Sequence, residues 1–247
     1  RAGEQRIVGA DEDLAAVTLG RDGAFRTMKP GSVFIDHTTV SARIARQLAV
    51  EAKGSGVMVV DAPVTGSIDS CIRGDMILFV GGDDADVERV RSVLDAVGVV
   101  RRVGGYGNGY VAKLVNNQLW FVHAAAIGEA MVTAKKAGLD PDVWWEAMKG
   151  GAADSFVLQH DVPSIFAGHY DPSFSLDLCT KDLGLIAELA GEVGTALPIT
   201  ETAHRRFEEA AARYGLAAAE LHVVRQLEED AGLSMRLAGD WTPPWEA

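Results

Sequence analysis

The sequence predicts an α/β domain followed by an all-helical domain, with a long helix joining the two. Two observations predict this division. From residue 32 to about 103, short runs of aliphatic and β-branched residues alternate with segments in which apolar residues recur at helical spacing. After Gly109 only the helical spacing continues. We therefore expect residues 1–104 to form the first domain and residues 105–247 to form the second.

Four strands are predicted in the first domain. Each is a short run of apolar residues, many of them β-branched, as is typical of strands buried in a sheet. The predicted strands are Ser32–Asp36, Val57–Asp61, Met76–Val80 and Val97–Val103. Residues 1–6 have neither strand nor helix character, so no element is predicted there.

Helices are predicted between these strands. Ser41 is suited to cap the first of them, because a serine oxygen can accept a hydrogen bond from a backbone N–H of the first turn. Apolar residues then recur at helical spacing from Ile44 to Ala52, and residues 84–97 repeat the pattern. Strands that alternate with helices form a mostly parallel sheet that is covered on both faces.

The second domain is predicted to contain only helices. Residues 109–137 lack proline and are followed by Gly138, so they can form one helix of roughly 40 Å. Prolines near the starts of later segments and glycines after their ends delimit four more helices, at about 140–149, 176–191, 198–213 and 219–231. The two domains meet at the glycine-rich segment 104–109, where we expect a hinge and a cleft.

Composition excludes several classes of protein. The formal net charge is -12, from 23 basic against 35 acidic residues, and it would repel the phosphates of a nucleic acid. The apolar runs are shorter than the roughly 20 residues that cross a bilayer, so no membrane span is predicted. Cys71 and Cys179 lack the spacing of a zinc or redox motif, and the six histidines are scattered, so no metal site is predicted. Unpaired thiols indicate a reducing, cytoplasmic setting.

The first candidate site lies on the long helix. Lys113 and Asn117 are four residues apart and therefore share a face of the helix, with Gly109 one turn earlier. An ammonium and an amide beside a glycine can hold a small substrate rich in oxygen atoms. From the spacing alone, a surface lysine on a long helix explains the pattern equally well.

The second candidate is the loop Asp61–Ser67, which follows a predicted strand. Ligands of parallel sheets bind beyond the carboxyl ends of the strands, which is where this loop lies. Thr65 supplies a hydroxyl, and Gly66 can present its N–H to an anion. An ordinary turn built on proline and glycine is the alternative.

The third candidate is the pair Lys181 and Asp182. On the helix predicted over 176–191, Asp182 falls within the apolar arc and Lys181 lies at its edge. A buried carboxylate needs a partner, because burial of an unpaired charge costs several kcal/mol. The alternatives to a functional site are an internal salt bridge and a pair that faces solvent.

Together these three segments resemble the β-hydroxyacid dehydrogenase family, which contains 3-hydroxyisobutyrate dehydrogenase and tartronate semialdehyde reductase. Residues 61–67 resemble the family's substrate loop DAPVSGG, and residues 107–117 match its motif GxGxxxKxxxN at each defined position. Residues 181–183 match its KDL segment, and residues 36–40 resemble its strand end D-x-S-T-[VI]. The resemblance extends from about residue 8 to residue 232.

The resemblance implies a Rossmann-type first domain, NAD or NADP as cofactor, and a helical second domain that forms a homodimer or homotetramer. It implies that Lys113 is the general acid/base that exchanges a proton with a small 3-hydroxy acid or its semialdehyde. Residues implied to bind the substrate are Thr65, Gly66, Ser67 and Asn117. Residues implied to contact the cofactor are Thr39 and Lys181. A small hydroxy acid is thus the expected partner, with no nucleic acid and no membrane.

The sequence departs from the family in two places. The glycine-rich strand–turn–helix that binds the dinucleotide pyrophosphate is not present, and residues 7–13 resemble the end of the family's fourth strand and the loop after it. We therefore expect roughly the first 70 residues of a family member to be missing, and with them the residue that separates NAD from NADP. In the loop, Thr65 replaces serine and Ser67 replaces glycine, which predicts a narrower and more polar pocket.

Two other functions fit parts of the pattern. An imine reductase-like enzyme resembles this architecture, but that group usually has a different residue at the position of the lysine, and Lys113 with Asn117 argues against it. A noncatalytic scaffold that retains the fold is the second alternative. Cofactor binding together with loss of turnover in a Lys113 variant would separate a catalyst from a scaffold.

Overall fold

The computed structural model describes residues 3–6, as backbone only, and residues 8–239. These residues form two compact units. The first contains the residues up to Asn116 together with Glu188–Gly194, and the second contains Asn117–Ala187 and the residues from Thr195 onward. The predicted domain boundary between residues 104 and 105 stays a prediction.

The first unit is built from six strands and the helices between them. In chain order these elements are β1 (Gly3–Arg6), α1 (Asp11–Leu19), α2 (Ala24–Thr27), β2 (Val33–Asp36), α3 (Ala42–Ser55), β3 (Met58–Asp61), β4 (Val64–Thr65), α4 (Ile68–Arg73), β5 (Met76–Gly81), α5 (Asp84–Asp95) and β6 (Gly98–Gly104). The four predicted strands all form, each within one residue of its predicted ends. Ser41 accepts a hydrogen bond from the Ile44 N–H at 3.1 Å and caps α3 as predicted.

The strands form one mixed sheet in the order β1-β2-β3-β5-β4, with β6 on β5. The pairs β1–β2, β2–β3 and β5–β6 are parallel, in agreement with the prediction. The pairs β3–β5 and β4–β5 are antiparallel. Because β2 and β3 are parallel neighbours, the residues that follow both strands lie at the same edge of the sheet.

Both faces of this sheet are covered, as predicted. Alternate residues of β2 point to opposite faces, so that Phe34 packs with α1, α2 and α3 while Val33 and Ile35 pack with α5. Tyr110, from the first turn of the long helix, packs with Phe34 on the same face as α3. The end of a later helix belongs to this unit as well, since Arg46 of α3 forms two hydrogen bonds with Glu192, at 2.8 and 3.1 Å.

Near the start of the chain the structure differs from the prediction. Gly3–Arg6 is a strand that pairs with β2, although no element was predicted there; residues 1 and 2 lie outside the described residues. Strand pairing uses backbone N–H and C=O groups, so it does not require β-branched side chains. A loop was expected at Asp11, but helix α1 begins there. The acidic residues of its first turn stabilise the positive end of the helix dipole.

The second unit is helical, as predicted. Its elements are most of α6 (Asn108–Lys136), α7 (Pro141–Met148), a π-helical turn (Val157–Asp161), α8 (Val162–Ala167), most of α9 (Leu176–Val193), α10 (Pro198–Tyr214) and α11 (His222–Ala231). The π-helical turn and α8 were not predicted. Among the described helices, none combines the length and the apolar character needed to cross a membrane.

Candidate active-site residues

Asp61 joins the predicted substrate loop to the start of α6. It is the last residue of β3 and is fully buried. Its Oδ1 accepts a hydrogen bond from the Gly107 N–H at 3.0 Å, and its Oδ2 accepts one from the Tyr110 N–H at 3.0 Å. The first N–H groups of a helix have no partner within the helix, and the helix dipole favours a negative charge beside them. The Asp61 carboxylate therefore caps α6.

Two glycines make room for this carboxylate. A Cβ atom at Gly109 would lie 2.6 Å from Asp61 Oδ2 and 2.4 Å from the Phe79 carbonyl oxygen. A Cβ atom at Gly81 would lie 2.4 Å from Asp61 Oδ1. Glycine is required at both positions because the backbone approaches Asp61 too closely for any side chain. This explains physically why the predicted lysine motif contains a glycine at position 109.

Burial changes the protonation of Asp61. Removal from water raises the pKa of its carboxyl group to about 6, and the backbone N–H groups of Gly107 and Tyr110 oppose that rise. The carboxylate that caps α6 is therefore expected to become protonated just below neutral pH.

Asp36 makes a second link to α6, from the end of β2. Its Oδ2 accepts a hydrogen bond from the Tyr110 hydroxyl at 2.6 Å, and its Oδ1 accepts from the Thr38 hydroxyl at 2.6 Å. Thr38 Oγ1 also accepts from the Val8 N–H at 3.2 Å, which ties the segment after β1 to the segment after β2. Burial raises the pKa of Asp36 and of Tyr110. The first turn of α6 is thus held by two carboxylates from neighbouring strands.

Lys113 lies on α6 one turn after Gly109 and is partly buried. The structure brings the same helix to the predicted substrate loop, because Thr65 Oγ1 accepts a hydrogen bond from Asn116 Nδ2 at 3.2 Å. Asn116 was not among the predicted site residues. The one sequence feature that could have indicated Asn116 is its position next to Asn117. That feature is weak, because adjacent residues of a helix point in different directions.

The rest of the predicted loop has distinct surroundings. Gly66 is exposed and has a φ of 132°, a conformation that side chains of L-residues disfavour. The Ser67 hydroxyl donates a hydrogen bond to the Asp69 carboxylate, which also pairs with Arg73 at 2.6 Å. Thr65 thus forms a side-chain hydrogen bond with α6, whereas the Ser67 hydroxyl is bound to Asp69.

The second unit brings Asn117 and Lys181 to one buried carboxylate. Asn117 Nδ2 donates a hydrogen bond to Asp182 Oδ2 at 2.7 Å, and Lys181 Nζ forms an ion pair with Asp182 Oδ1 at 2.9 Å. Asp182 is 1% exposed and Asn117 is equally buried. The internal salt bridge considered for Lys181 and Asp182 is present, and it includes a predicted substrate residue as its third member.

The residue Thr39 follows β2 by three positions and is partly buried. It lies at the same sheet edge as the loop after β3, because the two strands are parallel. A threonine hydroxyl at the carboxyl edge of parallel strands fits the chemistry of a dinucleotide, which offers several oxygen acceptors. The chemistry and location of Thr39 are thus compatible with contact to a nicotinamide dinucleotide.

One further cluster has the composition of metal ligands. Ligand atoms of His160, Asp161 and Asp171 lie within 4.8 Å of one another. The Asp161 carboxylate already accepts hydrogen bonds from Trp120 Nε1 at 2.9 Å and pairs with His160 Nδ1 at 2.8 Å. These contacts explain why His160 and Asp161 lie together, and a metal ion is not needed for that explanation.

Comparison with known proteins identifies the family. Residues 107–227 match the NAD-binding domain of NADP-dependent 3-hydroxyisobutyrate dehydrogenase, and residues 6–107 match the NAD-binding domain of 6-phosphogluconate dehydrogenase. An L-threonate dehydrogenase of Escherichia coli is 34% identical over 202 residues, which are 81% of this chain and 67% of the relative. The chain belongs to the β-hydroxyacid dehydrogenase family. The resemblance found in the sequence is thus confirmed, and the family consists of NAD(P)-dependent oxidoreductases.

Similarity to two further proteins supports the family assignment. A probable mitochondrial 3-hydroxyisobutyrate dehydrogenase-like protein of Arabidopsis thaliana is 37% identical over 192 residues, or 77% of this chain and 64% of that protein. The crystal structure of 3-hydroxyisobutyrate dehydrogenase from Salmonella typhimurium has a TM-score of 0.83 at 29% identity, and covers 91% of this chain and 79% of that one. The chain thus spans about two thirds of the length of these two curated relatives.

Proposed function

We propose that this family member transfers hydride between NAD or NADP and a small 3-hydroxy acid, such as 3-hydroxyisobutyrate, or its semialdehyde, with Lys113 as general acid/base. The observation that carries the proposal is the hydrogen bonding of Asp61 to Gly107 and Tyr110. It joins the loop that resembles the family's substrate loop to the helix that bears its lysine motif.

Lys113 handles the proton of the substrate hydroxyl. A nicotinamide cofactor, held by Thr39 and Lys181, would supply the hydride acceptor for oxidation of the hydroxyl carbon and the hydride donor for reduction of the aldehyde carbon. In oxidation the neutral amine of Lys113 takes the hydroxyl proton while the C–H electron pair leaves as hydride. In reduction the ammonium gives that proton back. A positioned acid or base of this kind contributes about 10²–10⁴-fold to rate.

The loop after β3 is proposed to hold the substrate carboxylate. Because Thr65 Oγ1 accepts a hydrogen bond from Asn116, the hydrogen of the Thr65 hydroxyl is oriented away from Asn116 and can be donated to an anion. Gly66 and Ser67 would add backbone N–H groups. Asn117 would contact the substrate with an amide that Asp182 orients.

Thr39 and Lys181 are proposed to contact the cofactor. Thr39 offers a hydroxyl at the carboxyl edge of the sheet, and Lys181 offers an ammonium that Asp182 holds in place. We further propose a homodimer or homotetramer, and a domain boundary between residues 104 and 105. Cys71 and Cys179 are both unpaired, which supports a reducing compartment such as the cytoplasm.

The test is reduction of NAD and NADP, followed by absorbance, across a panel of small 3-hydroxy acids that includes 3-hydroxyisobutyrate and threonate. We expect turnover with at least one acid, and a fall in kcat of about 10²-fold or more in Lys113→Ala. Lys53→Ala, which removes an exposed lysine of α3, is the matched control and should retain full activity.

Near-native turnover of Lys113→Ala would refute the role of the lysine. A protein that reduces a cyclic imine with NADPH, and oxidises none of the hydroxy acids, would be imine reductase-like. A protein that binds the cofactor without turning over any substrate would be a scaffold.

A further inference from the structure

We propose that Asp61 is a positioning residue that fixes the first turn of α6 and thereby places Lys113 for proton transfer. This inference rests on the proposed function, in which Lys113 transfers a proton and must therefore be held in position. It adds a residue whose side chain contacts the lysine motif rather than the substrate.

Both carboxylate oxygens of Asp61 accept hydrogen bonds from residues that are close together in the sequence, at the start of α6. Its two oxygens bind the N–H groups of Gly107 and Tyr110, each at 3.0 Å. These two residues bracket Gly109, and Lys113 follows Tyr110 by three positions, less than one helical turn. An acceptor that is fixed at both oxygens determines the direction in which α6 leaves the sheet.

The surroundings leave the Asp61 carboxylate little freedom. Gly81 and Gly109 approach so closely that a Cβ atom at either position would lie within 2.6 Å of a carboxylate oxygen. Asp61 is itself the last residue of β3 and has no exposed surface. Its position is therefore set by the sheet, and the start of α6 follows it.

The same residue connects two parts of the proposed site. Asp61 begins the segment that contains Thr65, while Thr65 accepts a hydrogen bond from Asn116, which lies further along α6. The loop and the helix are thus joined at two points. One lies before Lys113 in the chain, at Tyr110, and the other lies after it, at Asn116. Displacement of the helix start would move Lys113 relative to Thr65.

The experiment compares Asp61→Asn with the unaltered protein in steady-state kinetics and in competitive lysine labelling. The asparagine has nearly the same shape but presents an NH₂ group to one of the two N–H donors. We expect kcat to fall by about 10²-fold, as a displacement of roughly 1 Å can cause, with KM changed by less than about threefold. Labelling by acetic anhydride, read by mass spectrometry, should change for Lys113 relative to the exposed Lys29 and Lys53.

Ser41→Ala is the matched control. Ser41 is a buried cap of a different helix in the same unit, since it accepts a hydrogen bond from the Ile44 N–H at 3.1 Å. Its loss should lower the Tm without changing kcat or the labelling of Lys113. A purely structural Asp61 would behave in the same way, so the proposal is overturned if Asp61→Asn lowers only the Tm.

The labelling separates this inference from the proposed function. If the unaltered protein turned over no substrate, the proposed function would fail, and the labelling would still decide whether Asp61 places Lys113. Unchanged labelling of Lys113 in Asp61→Asn would overturn the inference even in an active enzyme. If Asp61→Asn does not fold, Asp61→Ser, which is smaller and still accepts one hydrogen bond, is the variant to measure.

Discussion

At the scale of single residues, Asp182 connects two residues that the sequence singled out separately. It is buried on α9 and contacts both the Asn117 amide and the Lys181 ammonium. A buried carboxylate needs such partners, because its removal from water is otherwise costly. Asp182 therefore sets the orientation of an amide and the location of a cation.

We predict that Asp182→Asn raises KM for the substrate and weakens cofactor binding, each by about 10- to 150-fold, because one charge-assisted contact is worth about 1.5–3 kcal/mol. Steady-state kinetics and titration of cofactor fluorescence measure the two effects. Asp177→Asn, at an exposed position on the same helix, is the control and should change neither. Equal effects of the two variants would show that Asp182 has no specific role.

The sequence indicated that Asp182 needs a partner, but not which one. Lys181 is its neighbour in the chain, whereas Asn117 is 65 positions away. Helical spacing identifies residues on one face of one helix and contains no information on which distant helix packs against it. The same limit explains why the sequence predicts no role for Asp61 within the loop Asp61–Ser67, since its partners begin 46 positions later.

At the scale of elements, periodicity predicted the long and regular parts of the fold. The four buried strands and α3, α5, α6, α7, α9, α10 and α11 form near their predicted positions. The missed elements are short or weakly periodic. Helices α2 and α4 have four and six residues, and β4 has two, so none completes enough periods to be recognised. Strand β1 is recognised only through its backbone pairing with β2.

The start of α6 is predicted to respond to pH through Asp61. Its pKa is raised from 3.8 to about 6, so the folded protein binds a proton there that the unfolded chain has already released. The free energy of unfolding should therefore decrease as the pH rises from about 4 to about 6, by up to about 3 kcal/mol from this group.

Urea unfolding of the unaltered protein and of Asp61→Asn, at several pH values, measures this contribution. Burial also raises the pKa of other acids, such as Asp36, so the quantity to compare is the difference between the free energies of unfolding of the two proteins. Asp36, Tyr106 and Tyr110 are titratable residues near Asp61, and all three remain in the variant. A difference that stays constant from pH 4 to pH 7 would contradict the raised pKa.

At the scale of the whole molecule, cofactor binding should appear as stability. A ligand that binds only the folded protein stabilises it by about 2.7 kcal/mol at a concentration of 100 Kd. For a protein of this size that corresponds to a rise in Tm of roughly 5–10 °C. We predict such a rise with NAD or NADP, measured by thermal shift, while ATP at the same concentration is the control. The absence of any shift with either dinucleotide would contradict cofactor binding by this chain.

The two compact units divide the chain in a way that matters for recombination between homologous genes. The sheet-containing unit includes Glu188–Gly194 from the end of α9, and Glu188 and Glu192 form ion pairs there with Arg43 and Arg46 of α3. A chimera made with a single crossover near residue 116 would combine a native α3 with a foreign partner segment. A chimera with three junctions would inherit residues 188–194 together with α3 and so would keep these ion pairs.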